Sequence, residues 1–307
     1  MERIYDMIVI GGGPGGYAAA LYAARAGLSV IVIEKMSVGG QMALTGDIDN
    51  YPGFEEGVDG FTLGMKMQAG AERFGAETVY AEVEKVELSE KIKKIVTADG
   101  TYLAKTVVLA LGAESRMLGV RGERELMGKG VHYCAHCDGR FYKDKTVCVI
   151  GGGNSAVQDA LYLSRLAKKV ILIHRRDSLR ATKIYHEPLM KAENVEFVWN
   201  STVSEIASDG KQKMLRVENV LTKEQSELVC DGVFVSIGRM PATAFLKDAV
   251  ACDAQGYIKA DETTKTDVEG VFAVGDVRTK ALRQVVTAVS DGAVAAHFAE
   301  AYLSEQT

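Results

Sequence analysis

Residues 7–35 read MIVIGGGPGGYAAALYAARAGLSVIVIEK, and this stretch decides the fold. An apolar strand leads into a glycine turn, an alanine-rich segment with helical periodicity follows, and a second apolar strand ends the stretch. Residues 146–176, TVCVIGGGNSAVQDALYLSRLAKKVILIHRR, repeat this plan. Each stretch is predicted to be a βαβ unit, and two such units predict an α/β protein with two doubly wound, Rossmann-like domains.

The rest of the chain divides around these two units. Residues 80–109 and 195–235 contain stretches in which apolar and charged residues alternate, which predicts antiparallel strands with one wet face. The tail, residues 242–307, is too short for a third domain and is expected to rejoin the first. We therefore predict a discontinuous first domain, residues 1–113 and 242–307, with a second domain, residues 114–241, inserted in it.

The first glycine turn has the pattern Gly11-x-Gly13-x-x-Gly16 and lies between a strand and a helix. Gly11 allows the tight turn, Gly13 lets the backbone approach a pyrophosphate, and Gly16 lets the helix pack closely on the strand. The helix N-terminus supplies unpaired N–H groups for phosphates. Glu34 ends the second strand, where a carboxylate can accept hydrogen bonds from both ribose hydroxyls. The turn is predicted to bind a dinucleotide whose ribose carries no 2′-phosphate.

The second glycine turn, at residues 151–156, has the related pattern Gly-x-Gly-x-x-Ala. The acidic residue is missing from the end of its second strand, where residues 174–176 read HRR and Arg180 follows. Guanidinium groups bind a phosphate dianion through paired charge-assisted hydrogen bonds, whereas a carboxylate would repel it. This turn is therefore predicted to bind a dinucleotide with a 2′-phosphate, NADPH rather than NADH.

A cysteine pair, Cys134 and Cys137, lies shortly before the second glycine turn. The C-x-x-C spacing places two sulfur atoms within bridging reach, and a neighbouring βαβ unit favours a redox dithiol over a metal site. Zinc would need further ligands, and although His132 and His136 are near, no second C-x-x-C occurs. Asp138 adjoins the pair and is predicted to exchange a proton with a thiolate; the alternative is that it caps the following turn.

The composition limits the remaining classes of function. The chain has 36 Lys and Arg against 41 Asp and Glu, so no strong positive field favours nucleic acid or anionic lipid. No apolar run of roughly eighteen residues and no leader pattern occurs, which predicts a cytoplasmic protein without a membrane span. Five cysteines do not suit a secreted disulfide framework, and Cys148, Cys230 and Cys252, which stand singly, are assigned no role.

Seven motifs together resemble one family. They are GGGPGG (11–16), GGQMALTGDIDNYPG (39–53), CAHCDG (134–139), GGGNSA (151–156), HRRDSLRA (174–181), GVFAVGDV (270–277) and RQVVTA (283–288). In this order they make the chain resemble the low-molecular-weight thioredoxin reductases over essentially its whole length. The resemblance implies an enzyme that passes electrons from NADPH through FAD and the Cys134/Cys137 disulfide to thioredoxin, and it implies a homodimer. Members of the family commonly carry Thr or Val where His136 stands.

The resemblance also implies the residues of each site. For FAD, in the first domain, these are Gly11, Gly13, Pro14, Gly16, Glu34, Gly40, Gln41, Asn50, Asp276, Arg283, Gln284 and Val285. For NADPH, in the inserted domain, they are Gly153, Asn154, Ser155, Ala156, His174, Arg175, Arg176 and Arg180. Within the cysteine pair, the resemblance implies that Cys137 faces the flavin, that Cys134 exchanges with the disulfide of the partner, and that Asp138 is the acid/base.

Other functions fit part of the pattern. The chain could reduce a glutaredoxin-like or peroxiredoxin-linked partner, act as a ferredoxin-type reductase, or serve as a flavin-binding sensor without turnover. The HRR segment disfavours a donor other than NADPH, and the cysteine pair beside two nucleotide turns disfavours a sensor. The larger disulfide reductases carry their cysteines just after the second strand of the FAD domain, where residues 38–46 contain none.

Overall fold

The computed structural model describes residues 3–44 and 47–306, and it divides into two compact units. The first unit is Met1–Glu114 with Met240–Thr307, and the second is Ser115–Arg239. These limits differ from the predicted ones by one residue at the first crossing and by two at the second. Thr45 and Gly46, which belong to the motif at 39–53, lie outside the described residues.

The regular elements follow one another along the chain in the order expected for two βαβ units with added strands. The strands are β1 Ile4–Ile10, β2 Val30–Glu34, β3 Asp47–Ile48, β4 Val58–Asp59, β5 Glu77–Tyr80, β6 Val83–Glu87, β7 Lys93–Thr97, β8 Gly100–Leu109, β9 Ala113–Ser115, β10 Val131–His132, β11 Thr146–Ile150, β12 Lys169–Ile173, β13 Val195–Val198, β14 Ser201–Ser208, β15 Lys213–Asn219, β16 Gln225–Cys230, β17 Gly232–Val235, β18 Arg239–Pro241 and β19 Val271–Ala273. The helices are α1 Pro14–Arg25, α2 Gly60–Glu72, α3 Ala135–Asp138, α4 Asn154–Ser164, α5 His186–Met190 and α6 Val285–Glu305.

The first unit is built on a seven-stranded sheet with the order β5-β2-β1-β8-β7-β6. Strands β5, β2, β1 and β8 are parallel, β6 and β7 form the predicted antiparallel meander, and β19 adds to β8 in parallel. The tail of the chain thus completes the first sheet, as its apolar strand predicted. Helices cover the faces of such a parallel sheet. The glycine turn follows the last residue of β1, so it lies at the carboxyl edge of the sheet, where nucleotides bind in doubly wound folds.

The core of the first unit fills both faces of this sheet. Alternate residues of β1 point to opposite sides, so Ile8 and Ile10 belong to one buried cluster and Met7 and Val9 to the other. The second cluster is covered by α1 and α6, whose buried residues are mostly alanines. A β-carbon at Gly292 of α6 would collide with the backbone of α1, so small residues set the close approach of these helices.

The second unit repeats the doubly wound plan with fewer strands. Its five-stranded sheet is parallel throughout, with the order β10-β17-β11-β12-β13. The antiparallel sheet β14-β15-β16 packs on one face of it, and α4 packs on the other. In β11 and β12 every residue after the first is apolar and buried, which agrees with a sheet covered on both faces. No helix in the described part of the chain combines the length and apolar composition that crossing a membrane requires.

Candidate active site

The first glycine turn joins β1 to α1 and leaves open space beside its backbone. Gly11 has a φ of +105°, a left-handed conformation that glycine adopts without strain. A β-carbon at Gly16 would collide with the carbonyl oxygen of Gly11, so only glycine lets α1 approach the turn this closely. A β-carbon at Gly13 would meet no atom within 4 Å, and α1, with Pro14 at its start, has no side-chain cap. The turn therefore has the space and the uncapped helix N-terminus that a bound pyrophosphate requires.

Glu34 lies at the end of β2 and holds the turn from the other side. Its carboxylate is 9% exposed and accepts hydrogen bonds from the backbone N–H groups of Gly12, at 2.6 Å, and Met36, at 3.0 Å. An ionised carboxylate offers about four lone-pair positions, so acceptor capacity remains for hydroxyl groups of a ribose. The position of Glu34 beside the glycine turn thus fits the predicted nucleotide site.

Two contacts join parts of the predicted FAD set that are distant in sequence. Gly40, which with Gln41 begins a short 3₁₀ helix, lies against the glycine turn: a β-carbon at Gly40 would be 3.5 Å from the Cα of Gly13. The side-chain amide of Asn50 donates a hydrogen bond to the Oε1 of Gln284 at 3.0 Å. Both contacts lie within the first unit, and Gln284 forms the capping box that begins α6.

The remaining members of this set lie around the start of α6. Val285 is the first residue of the helix and packs against a buried cluster. Arg283 donates from its Nε to the carbonyl oxygen of Asp276 at 3.3 Å, and its guanidinium carbon lies 4.1 Å from the ring centroid of Tyr257. The backbone of Asp276 is thereby tied to the N-terminus of α6.

A buried ionic cluster, which the sequence analysis missed, supports this region. Asp291 of α6 accepts hydrogen bonds from the Nε and Nη2 of Arg278, at 3.0 and 2.9 Å, and from the Nζ of Lys280 at 2.7 Å. It also accepts from the backbone N–H of Gly275 at 2.8 Å. Burial raises the pKa of Asp291, but the bonds from Arg278 and Lys280 outweigh it and leave the pKa below its ordinary value. The available signal was that Asp291 is the first acid of α6 and stands among mainly small and apolar residues.

The second glycine turn, between β11 and α4, repeats the geometry of the first. Gly151 has a φ of +144°, and a β-carbon there would collide with the carbonyl oxygen of Ser236. A β-carbon at Gly153 would meet no atom within 4 Å, whereas Ala156 is fully buried against the turn. Asn154 begins α4 and accepts a hydrogen bond from the backbone N–H of Thr182 at 2.7 Å. The remaining member, Ser155, is the second residue of this helix. This turn also has room for a pyrophosphate.

The predicted basic cluster follows β12 and faces solvent. Arg175, Arg176 and Arg180 are exposed, and none of them forms an ion pair with another residue in the described ranges. His174 is only 5% exposed; burial, and then the three arginines, lower its pKa, which keeps the imidazole neutral. The backbone N–H of Arg180 donates to the carbonyl oxygen of Gly152 at 2.7 Å, which ties the arginine segment to the glycine turn. Unpaired guanidinium groups beside a nucleotide turn are suited to a phosphate dianion.

Cys134 and Cys137 form a disulfide bond at the short helix α3, with a Cα–Cα distance of 5.3 Å. Cys134 is the N-cap of this helix, and its carbonyl oxygen accepts hydrogen bonds from the N–H groups of Cys137 and Asp138. Both cysteines are half-buried, whereas His136 is exposed and its ring lies 4.3 Å from that of Tyr162. The single turn of helix thus brings the two sulfur atoms together while leaving them accessible.

Asp138 is in contact with a histidine that the sequence analysis mentioned only as a weak zinc candidate. One carboxylate oxygen of Asp138 is 3.1 Å from the Nδ1 of His132. The Nε2 of His132 is 2.7 Å from the hydroxyl oxygen of Tyr142. Carboxylate, imidazole and phenol thus form a continuous chain that begins next to Cys137.

The other three cysteines lie apart from the disulfide. Cys148 and Cys230 are buried, and Cys252 is half-buried. A hydrogen bond with Cys230 and then burial raise the pKa of the Cys148 thiol well above its ordinary value, so this thiol does not ionise readily. Within residues 3–44 and 47–306, no group of three or more His, Cys, Asp or Glu side chains is arranged to hold a metal ion.

Two dinucleotide-type turns and one disulfide in a single chain define a nucleotide-dependent disulfide oxidoreductase. Residues 5–292 match the family described as pyridine nucleotide-disulphide oxidoreductase. The chain belongs to this family, which confirms the predicted class of enzyme and implies flavin and nicotinamide cofactors.

Individual proteins of known class are similar to this chain over nearly its full length. The chain is 46% identical to the thioredoxin reductase of Listeria monocytogenes over 306 residues, which cover 99% of this chain and 95% of the relative. It is 45% identical to a bifunctional thioredoxin reductase/thioredoxin of Mycobacterium leprae, over 99% of this chain and 67% of that one. The crystal structure of thioredoxin reductase from Streptococcus pyogenes superposes with a TM-score of 0.92 at 44% identity, covering 99% of this chain and 100% of that one. The predicted pair of Rossmann-like folds is therefore confirmed.

Proposed function

We propose that this chain is a thioredoxin reductase that uses NADPH as donor and FAD as its bound flavin. The observation that carries the proposal is the Cys134–Cys137 disulfide, placed in a chain that also has two glycine turns with room for a dinucleotide. When bound, NADPH supplies a hydride and FAD accepts it and stores two electrons. The chain itself supplies binding, orientation and the thiol chemistry.

We assign FAD to the first unit. Gly11, Gly13 and Gly16 form the pyrophosphate turn with Pro14, and Glu34 accepts from the ribose hydroxyls. The contacts Asn50–Gln284 and Arg283–Asp276 order the segments before α6, whose N-terminal residue is Val285. Gly40 and Gln41 complete the site beside Gly13.

NADPH is assigned to the second unit, with the pyrophosphate at the second glycine turn. The residues are Gly153, Asn154, Ser155 and Ala156 at the turn and His174, Arg175, Arg176 and Arg180 around the 2′-phosphate. The exposed, unpaired arginines support this assignment, because their charge has no acidic partner among the described residues.

Replacing Arg175 and Arg176 together by Ala should raise the KM for NADPH by at least about 100-fold, because each charge-assisted hydrogen bond contributes about 1.5–3 kcal/mol and the double variant loses those of two guanidinium groups. The KM for NADH should change by less than about threefold, since NADH has no 2′-phosphate for the guanidinium groups to bind. Steady-state kinetics with both donors give the two ratios. Arg165→Ala is the matched control, because Arg165 is an exposed arginine of the same unit outside the cluster. Equal changes for the two donors would reject the assignment.

The disulfide and Asp138 supply the thiol chemistry once the pair has been reduced to a dithiol. The Cys134 thiolate attacks one sulfur of the partner's disulfide, forming a mixed disulfide, and the displaced thiolate takes a proton from Asp138. The Cys137 thiolate then attacks Cys134, which releases the second thiolate of the partner and restores the Cys134–Cys137 bond. The two electrons of the dithiol thus pass to the partner.

The proposed partner is thioredoxin, and the relative in which reductase and thioredoxin are one polypeptide supports this pairing. A dithiol that cycles between two states needs a reducing compartment, so we assign the protein to the cytoplasm. A homodimer is also proposed. Exposed apolar side chains of α1 and α2, Tyr22, Phe61 and Met65, are 45–48% exposed and supply a surface of the kind that oligomers cover.

The test is an assay of purified, yellow protein with NADPH and a choice of acceptors. Oxidation of NADPH should require thioredoxin and should be slower by at least about 100-fold with a glutaredoxin-like protein, because the partner must present its disulfide to Cys134. Dithiol formation on thioredoxin, measured with a thiol reagent, should match the NADPH consumed. Protein that cannot be reconstituted with FAD, or that reduces the glutaredoxin-like protein faster, would contradict the proposal.

A further inference from the structure

His132 links Asp138 to a buried tyrosine. Its side chain is 9% exposed, and each ring nitrogen has one partner: Asp138 at 3.1 Å from Nδ1 and Tyr142 at 2.7 Å from Nε2. The three residues come from β10, α3 and the 3₁₀ helix that follows α3. A carboxylate next to the redox cysteines is therefore held by a largely buried side chain whose two ring nitrogens each have a partner.

The partners determine which nitrogen carries the proton. An ionised carboxylate can only accept, so Nδ1 must donate to Asp138. Burial, and then the charge of Asp138, raise the pKa of Tyr142 to about 12, so the phenol remains protonated at physiological pH. A neutral imidazole protonated at Nδ1 can then accept the hydroxyl hydrogen of Tyr142 at Nε2. In this arrangement every donor in the chain has an acceptor.

Packing fixes the orientation of both rings. The ring of His132 is stacked on Phe234 of β17 with a centroid distance of 5.4 Å, and Tyr142 meets the same ring edge-on at 5.4 Å. A β-carbon at Gly232 would collide with the ring of Tyr142, so the phenol ring lies directly against the backbone of β17.

The charged surroundings are also defined. The only carboxylate in contact with His132 among the described residues is that of Asp138, and β17 presents the apolar Phe234. Asp231 and the Cys230 thiol act on Tyr142 through space, and the ammonium of Lys145 lies 5.5 Å from the ring centroid of Tyr142. A change of charge at His132 would therefore act first on Asp138.

We propose that His132 is a positioning residue for the acid/base Asp138, and that Tyr142 holds the other ring nitrogen of the imidazole so that Nδ1 stays directed at Asp138. The inference rests on the proposed function, because it assigns a role in the exchange between Cys134 and the partner's disulfide. Asp138 gives its proton to the displaced thiolate and becomes a carboxylate, which accepts the Nδ1–H of His132. The S–S bond of the partner breaks, the mixed disulfide forms, and no further reactant is consumed.

Two amide variants separate the two nitrogens of His132. The side-chain amide of Asn occupies the position of Nδ1 and can still donate to Asp138, whereas the longer Gln places its amide near Nε2 and the hydroxyl of Tyr142. His132→Asn should reoxidise with thioredoxin within about threefold of wild type. His132→Gln should be slower by about tenfold, a part of the roughly 10²- to 10⁴-fold that acid–base catalysis supplies. The measurement is stopped-flow reoxidation of the NADPH-reduced enzyme by thioredoxin.

The pH profile of the reoxidation rate tests the positioning role separately from packing. A loss of packing alone would not shift the profile in His132→Gln while leaving it unchanged in His132→Asn. Asp138 must carry its proton in order to give it, so the reoxidation rate falls on the alkaline side of the profile. A hydrogen bond to the ionised carboxylate favours that form, and its loss in His132→Gln should therefore move this alkaline limb to higher pH. His132→Asn should keep the wild-type profile. Reduction of the flavin by NADPH should have the same rate in all three proteins, which shows that they are folded. Equal rates and profiles for Asn and Gln would overturn the inference.

The tautomer can be measured without turnover. Imidazole ¹⁵N spectra of the wild-type holoenzyme should contain one histidine locked with its proton on Nδ1, and that signal should be absent in His132→Asn. Tyr142→Phe should keep the proton on Nδ1, because Asp138 still accepts it, and should shift only the signal of Nε2, which loses its hydrogen-bond donor. A proton on Nε2 in wild type would reject the inference. Failure of the wild type to be reoxidised by thioredoxin would instead reject the proposed function, so the two failures are distinguishable.

Discussion

Wild-type protein titrated anaerobically with NADPH should take up about four electrons per flavin, and Cys134→Ser should take up about two. The physical reason is that a disulfide is a two-electron acceptor in its own right, and one remaining thiol cannot form it. The flavin accounts for the other two electrons in both proteins. Absorbance of the flavin at each addition of NADPH gives the two end points directly.

The same variant should lose turnover almost completely. Thioredoxin reduction by Cys134→Ser should fall by at least about 10³-fold, because a serine hydroxyl is not ionised near neutral pH and cannot open a disulfide. Cys252→Ser is the matched control, since Cys252 is a half-buried thiol of the first unit with no disulfide partner. It should titrate and turn over like wild type. A wild-type end point of two electrons would show that the Cys134–Cys137 bond receives none.

The features that sequence predicted correctly are those fixed by short-range chemistry. The two strand–glycine turn–helix units need a small residue at each close approach, and Gly11 and Gly16 show that need at the first turn, where a β-carbon would collide with backbone. The C-x-x-C spacing likewise matches a single helical turn, so the disulfide could be predicted from four residues.

What the sequence could not predict depends on contacts between distant residues or on side-chain direction. The Asn50–Gln284 bond joins residues 234 positions apart, which no local pattern encodes. His132 and Asp138 are close in sequence, but their contact depends on the turn of α3, so the histidine was considered only as a zinc ligand. Glu34 ends β2, where its carboxylate was predicted to accept hydrogen bonds from ribose hydroxyls. It also accepts hydrogen bonds from two backbone N–H groups, which the sequence did not predict.

The buried cluster around Asp291 leads to the second large effect, which concerns stability. Asp291, Arg278 and Lys280 have side chains that are no more than 8% exposed, so a single carboxylate balances two buried cations. Asp291→Asn keeps the volume but removes the charge, and it turns one acceptor oxygen into a donor that faces other donors. Breaking a buried pair on one side costs about 3–5 kcal/mol, because the remaining charge is left uncompensated.

Asp291→Asn should therefore lower the Tm of the holoenzyme by about 10 °C, measured by differential scanning calorimetry at pH 7. Asp59→Asn is the control with the same chemical change. Asp59 is the exposed N-cap of α2 and accepts a hydrogen bond from the N–H of Thr62. Because Asn caps a helix as well as Asp does, the Tm of Asp59→Asn should remain within about 2 °C of wild type.

The difference between wild type and Asp291→Asn should also depend on pH in one direction. The bonds from Arg278 and Lys280 hold the pKa of Asp291 below its ordinary value despite burial, which opposes them. A group whose pKa is lowered in the folded state stabilises that state fully at a pH above its unfolded pKa, about 3.9. This stabilisation is lost as the pH falls below that value toward the folded pKa. The gap in Tm should thus be constant between about pH 8 and pH 5 and should narrow below about pH 4. If the difference in Tm between wild type and Asp291→Asn widened on acidification, Asp291 would be protonated in the folded protein. If there were no difference in Tm at pH 7, Arg278 and Lys280 would not need the charge of Asp291 for stability.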